Sequence, residues 1–104
     1  GNERQERALA AECALEVLKD DGLPPDELEV MKALLDHYAK WGTSYMYIDQ
    51  LQESMEASYE WLLKTLRELQ TKGLVYLYRD PRLGLRVGFA KRAREVLQAC
   101  RTSP

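Results

Sequence analysis

The sequence predicts an α+β domain, mostly helical with a single β-hairpin, and three observations carry that expectation. Apolar residues recur every three or four positions through most of the chain, the spacing of helices with a buried face. Two short runs rich in Leu, Val, Tyr and Phe flank Asp80-Pro81-Arg82-Leu83-Gly84, where proline suits a turn corner and glycine supplies a positive φ. The chain has 104 residues, 45% apolar and 31% charged, and a single core commonly forms at roughly 100–150 residues. One domain over 1–104 is therefore expected. A disordered tail, a collagen-like fibre and a disulfide-dense miniprotein are excluded.

The elements follow in order. Residues 4–19 read as a helix with Leu9, Cys13, Leu15, Val17 and Leu18 on a wide apolar stripe, ended by Asp20-Asp21-Gly22. Pro24-Pro25 opens a second helix, since the first turn has no use for the amide hydrogen that proline lacks. Asp26, Glu27 and Glu29 favour that N-terminus electrostatically. Leu28, Met31, Leu35 and Tyr38 form one stripe and Val30, Leu34 and Trp41 another, so this helix should have neighbours on two sides. Gly42 is its stop. Met46 and Ile48 then alternate with Tyr45 and Tyr47, enough for a short bridging strand.

Asp49 to Met55 makes a short helix with Leu51 and Met55 inward. Ser58 caps a longer one to about Thr71, with Leu62, Leu66 and Leu69 inward. Strands at Leu74–Arg79 and Leu85–Phe89 follow, and the last helix spans about Ala90–Cys100, with Ala93, Val96, Leu97 and Cys100 at helical spacing.

The net charge of −2 conceals a strong polarity. Residues 1–63 hold 5 Lys/Arg against 14 Asp/Glu, and residues 64–104 hold 10 against 3. A basic segment of this kind suits an acidic partner. No run of 18 apolar residues exists, so no membrane span is expected. The polar N-terminal stretch has no apolar signal core. Cys13 and Cys100 lack the close spacing of a redox or zinc motif. Two buried thiols in a reducing cytoplasm are expected, the alternative being a disulfide that ties the terminal helices. His37 is the single histidine, so neither a multi-histidine metal site nor a cofactor is expected.

The order of helix, helix, short strand, short helix, helix, hairpin and helix over residues 26–89 resembles a winged helix-turn-helix domain. Met46, Ile48, Leu51, Met55, Leu62, Leu66 and Leu69 fall where such domains place inward residues, and Leu69-Gln70-Thr71-Lys72-Gly73-Leu74-Val75 is similar to their exit from recognition helix to wing. The helices at 4–19 and 90–100 resemble the dimerisation helices of MarR-like bacterial transcription regulators.

The resemblance implies a cytoplasmic, homodimeric regulator that binds double-stranded DNA. Ser58, Tyr59, Glu60, Lys64 and Arg67 would lie at the major groove, and Arg79, Arg82 and Arg86 on the wing, with Lys91, Arg92 and Arg94 extending the patch. A helix fits the major groove, and phosphate contacts require cations. Two departures stand out. Glu56 occupies the turn where such domains usually carry glycine. The helix also opens with acidic and bulky residues (Glu56, Glu60, Trp61, Leu63), a composition more typical of a protein-binding face.

The alternative is accordingly a module that docks a protein partner through Tyr59, Trp61 and Leu63 without binding DNA. Tyr45, Tyr47, Tyr76 and Tyr78 lie on strands, where aromatics are favoured whatever the ligand. A tyrosine-bearing sheet can also stack single-stranded bases, but the basic residues should gather at the hairpin tip instead. Catalysis is not expected. His37 has no serine or cysteine three or four residues away, and no glycine-rich loop leads from a strand into a helix.

Overall fold

The computed structural model describes residues 2–102. The ends of the 1–104 span, residues 1, 103 and 104, lie outside the described residues. The described chain is α+β, with five helices and a three-stranded antiparallel sheet. Its order is α1 (Glu3–Asp20), α2 (Pro25–Trp41), β1 (Tyr45–Tyr47), α3 (Ile48–Met55), α4 (Tyr59–Thr71), β2 (Val75–Asp80), β3 (Gly84–Phe89) and α5 (Lys91–Thr102).

The local stop and start signals act as their chemistry requires. Pro25 sits in the first turn of α2, and Gly42 closes that helix in the left-handed conformation, its N–H donating to the Tyr38 carbonyl. The hydroxyl of Ser58 caps α4 by accepting from the Trp61 N–H at 3.2 Å. The connection between α3 and α4 turns on Glu56, at φ 53° and ψ 38°. It is the sole non-glycine residue with positive φ among the described residues, and it stands at the place noted above for glycine.

The sheet order is β1-β3-β2, so β3 is central. Tyr47 faces Arg86 from one side and Tyr78 faces it from the other; Gly88 lies between Tyr45 and Tyr76. Side chains alternate across a strand, which turns Met46, Val75, Leu85, Val87 and Phe89 into the core, all of them buried. The helical side of that core is Val30, Met31, Leu34, Leu35, Leu51, Leu62, Leu66 and Leu69. The buried end of α2 carries one charge: Glu27, only 2% exposed, receives a short ion-pair contact from Lys72 at the end of α4.

The terminal helices depart from expectation. The buried face of α1 is Ala10, Ala11, Ala14 and Leu18, whereas Leu9 is 61% exposed and Val17 lies at the surface. Small side chains let helices approach closely, and α1 spends its alanine face on α2 and α5. Ala93 and Leu97 of α5 are buried as well. Of the stripe expected on α1 only Leu18 is buried, while on α5 the chain itself closes over Ala93 and Leu97.

The same packing corrects the cysteine expectation. Cys13 and Cys100 are brought to a Cα separation of 5.8 Å and are joined as a disulfide, with no free cysteine among the described residues. That separation is ordinary for a bridge, and the 87 intervening positions hid the pairing because it depends on how α1 meets α5. The step from reduced thiols to a cytoplasmic location therefore lapses. No helix among the described residues is long and apolar enough to cross a membrane.

Candidate nucleic-acid interface

Helix α4 presents three faces, set by its 100° step per residue. Leu62, Thr65, Leu66 and Leu69 are buried against the rest of the fold. Thr65 resolves its own polarity by donating to the Trp61 carbonyl at 2.9 Å. Opposite them, Glu60, Lys64 and Arg67 are exposed and line a shallow groove of about 510 Å³ with Leu63, Glu68 and Thr71. Lys64 and Arg67 lie between Glu60 and Glu68 on this face, so its charge is mixed.

The flanks of α4 separate the residues of the docking alternative. Trp61 is half-buried on one flank, beside Glu29, Met55, Glu56, Ala57 and Ser58. Leu63 lies on the other flank, in the groove with Lys64 and Arg67. Two positions in a helix are 200° apart, so Trp61 and Leu63 do not share a face, and Tyr59 stands with Leu63. The expected Tyr59/Trp61/Leu63 patch is split by the helix itself.

The hairpin cations are likewise distributed. Arg82 sits at the exposed tip, whose turn is held by Asp80 accepting from the Arg82 and Leu83 N–H groups at 2.8 and 2.9 Å. The Arg82 N–H, then that of Leu83, hold the Asp80 carboxyl below its ordinary range, with a smaller contribution from the Arg86 charge. Arg79 is exposed and opposite Leu85, so strand alternation gives it to the helix side of the sheet.

Arg86 goes the other way, onto the outer sheet face. Its guanidinium carbon lies 5.2 Å from the Tyr45 ring centroid and 4.9 Å from that of Tyr78. Arg86 is therefore on the hairpin, as Arg79 and Arg82 are, but the register opposite Tyr78 points it to the sheet face away from Arg79. Strand alternation and the hairpin turn could have shown that reversal, but the third strand, β1, gave no sequence signal of where it pairs.

Other cations of the basic segment have partners inside the protein. Arg92 pairs with Asp21 at 3.2 Å, Arg94 donates to the Phe89 carbonyl at 2.8 Å, and Arg101 donates to the Tyr38 hydroxyl at 3.0 Å. The Arg92 and Arg101 contacts, together with Lys72–Glu27, fold part of the basic segment back onto the acidic one. Lys64, Arg67, Arg79 and Arg82 are exposed and enter no ion pair among the described residues.

No protein-family profile, curated protein or solved structure matches the chain. What the interface can do rests on its own chemistry. His37 is half-buried on α2, and burial lowers its pKa from the ordinary 6.5. No group of three or more His, Cys, Asp or Glu is placed to hold a metal ion among the described residues.

Proposed function

We propose that this chain is a winged helix-turn-helix domain that binds double-stranded DNA and regulates transcription. Helix α4 would enter the major groove, and the β2–β3 hairpin would act as the wing against the flanking backbone. The order of elements and the β1-β3-β2 sheet are compatible with that fold.

The observation that carries the reading is the division of cations. Arg92 and Lys72 are tied to carboxylates within the protein, while Lys64 and Arg67 on α4 and Arg79 and Arg82 on the hairpin are left for an external anion. Phosphates are the anions that such scattered, exposed cations suit. Glu60 can accept from the amino group of cytosine in the groove.

A homodimer belongs to the proposal through the strip that α1 and α5 leave uncovered, with Leu9 and Val17 exposed and Val96 half-buried. Such a regulator would work in the cytoplasm, where structural disulfides are rare, so the 13–100 bridge would there be open to reduction.

Titration of duplex DNA over a salt series tests the reading. Affinity should fall steeply with salt, and removing two phosphate contacts with Lys64→Ala and Arg67→Ala should make the log–log slope shallower by about 1.8. Arg79→Ala with Arg82→Ala should act likewise. A slope that none of these changes alters overturns the assignment, and a complex that sediments with one protein per duplex removes the dimer.

A further inference from the structure

The outer face of the sheet is a second candidate surface, separate from α4. By register and alternation it carries Tyr45 and Tyr47 from β1, Arg86 and Gly88 from β3, and Tyr76 and Tyr78 from β2. Tyr45 is 37% and Tyr78 47% exposed. The ring of Tyr76 lies directly over Gly88, where a Cβ would collide with it. The glycine thus lets one ring lie flat on the sheet. Tyr45 and Tyr47 meet edge to face, with ring centroids 6.0 Å apart.

Arg86 stands in the middle of these rings, and its charge also reaches Asp80. Its side chain makes no hydrogen bond or ion pair among the described residues, and its Nε is shut off from solvent with no acceptor. Arginines so enclosed normally find an acceptor, because an unsatisfied buried donor is costly. Tyr45 and Tyr78 flank the guanidinium at 5.2 and 4.9 Å, and with Nε buried the Nη groups are the donors left to meet a ligand. Planar edge donors of this kind match the oxygens of a phosphate.

The Asp80 carboxylate, which feels the Arg86 charge, accepts from two backbone N–H groups, and Arg82 adds positive charge at the same end. Aromatic faces beside a cation that forms no ion pair are complementary to unstacked bases on a phosphodiester chain.

We propose that the outer sheet face binds single-stranded nucleic acid, with bases stacked on Tyr45 and Tyr78 and a phosphate at the guanidinium edge of Arg86. A proline-rich peptide would also suit exposed aromatics, but it supplies no acceptor charge for Arg86.

Fluorescence anisotropy of labelled oligothymidylate and oligouridylate of about 12 nucleotides tests this on the full chain, with the matching duplex alongside. The expected result is binding of at least one single strand. It should weaken roughly tenfold or more in Tyr45→Ala with Tyr78→Ala, and the salt slope should become shallower by about 0.7 in Arg86→Gln. Lys64→Ala with Arg67→Ala should leave single-strand binding intact while weakening duplex binding, so that the two surfaces fail or stand separately. Tyr78→Ala alone, at the most exposed of these rings, serves as a control that keeps the fold, judged by circular dichroism. No single-strand binding at low salt, binding indifferent to the tyrosines, or binding lost only with the α4 changes overturns the proposal. Competition by a proline-rich peptide in place of the oligonucleotides would overturn it as well.

Discussion

Glu56 shows how a single residue can be at odds with its own position. It ends α3 at φ 53°, a conformation that costs a side chain roughly 1–2 kcal/mol, and its carboxylate lies at the negative end of that helix. Glycine takes the same conformation freely, though it brings back some unfolded-chain entropy. Glu56→Gly should therefore stabilise the domain by about 1 kcal/mol, seen as a rise in melting temperature of roughly 4–8 °C; a fall would mean that the Glu56 side chain makes a stabilising contact. The place of the turn was legible in the sequence, because the apolar spacing on either side leaves Glu56-Ala57-Ser58 between two helices. Arg86 was less legible. Its neighbours come from β1 and β2 on either side, and only the assembled sheet brings Tyr45 and Tyr78 onto one cation.

The elements themselves were the most readable scale, since proline, glycine and serine punctuate them by local chemistry. Pro25, Gly42, Ser58 and the Asp80–Gly84 turn all lie at observed boundaries. The buried face of α1 was not readable, because leucines and alanines lie on several sides of that helix and burial went to the alanines. Between elements, the chief polar tie is Glu27 of α2 to Lys72 after α4. Removing one partner of a buried pair typically costs about 3–5 kcal/mol. Lys72 keeps 38% of its side chain in solvent, so Lys72→Met should cost less, about 2–3 kcal/mol by denaturant unfolding. Adding Glu27→Leu should recover much of that loss, since an apolar pair strands no charge. If Lys72→Met alone is neutral, Glu27 has another partner.

At the scale of the whole molecule, the charge polarity of the sequence turns out to be partly structural. Lys72 and Arg92 reach back to Glu27 and Asp21, so two of the ten late cations are tied to the early acids, while Lys64, Arg67, Arg79 and Arg82 face outward. The same return of the chain's end to its beginning joins Cys13 to Cys100. In the chain-entropy picture, a bridge across 87 positions stabilises by roughly 4–5 kcal/mol. Cys13→Ser with Cys100→Ser should lower the unfolding midpoint accordingly while helix content by circular dichroism persists, because α1 and α5 also meet through buried alanines. An unchanged midpoint would show that the bridge adds nothing to their packing. The bridge also changes what a broken backbone means. A protease nick anywhere between residues 13 and 100 would leave one covalent molecule of undiminished size, and only a reductant would release the two pieces.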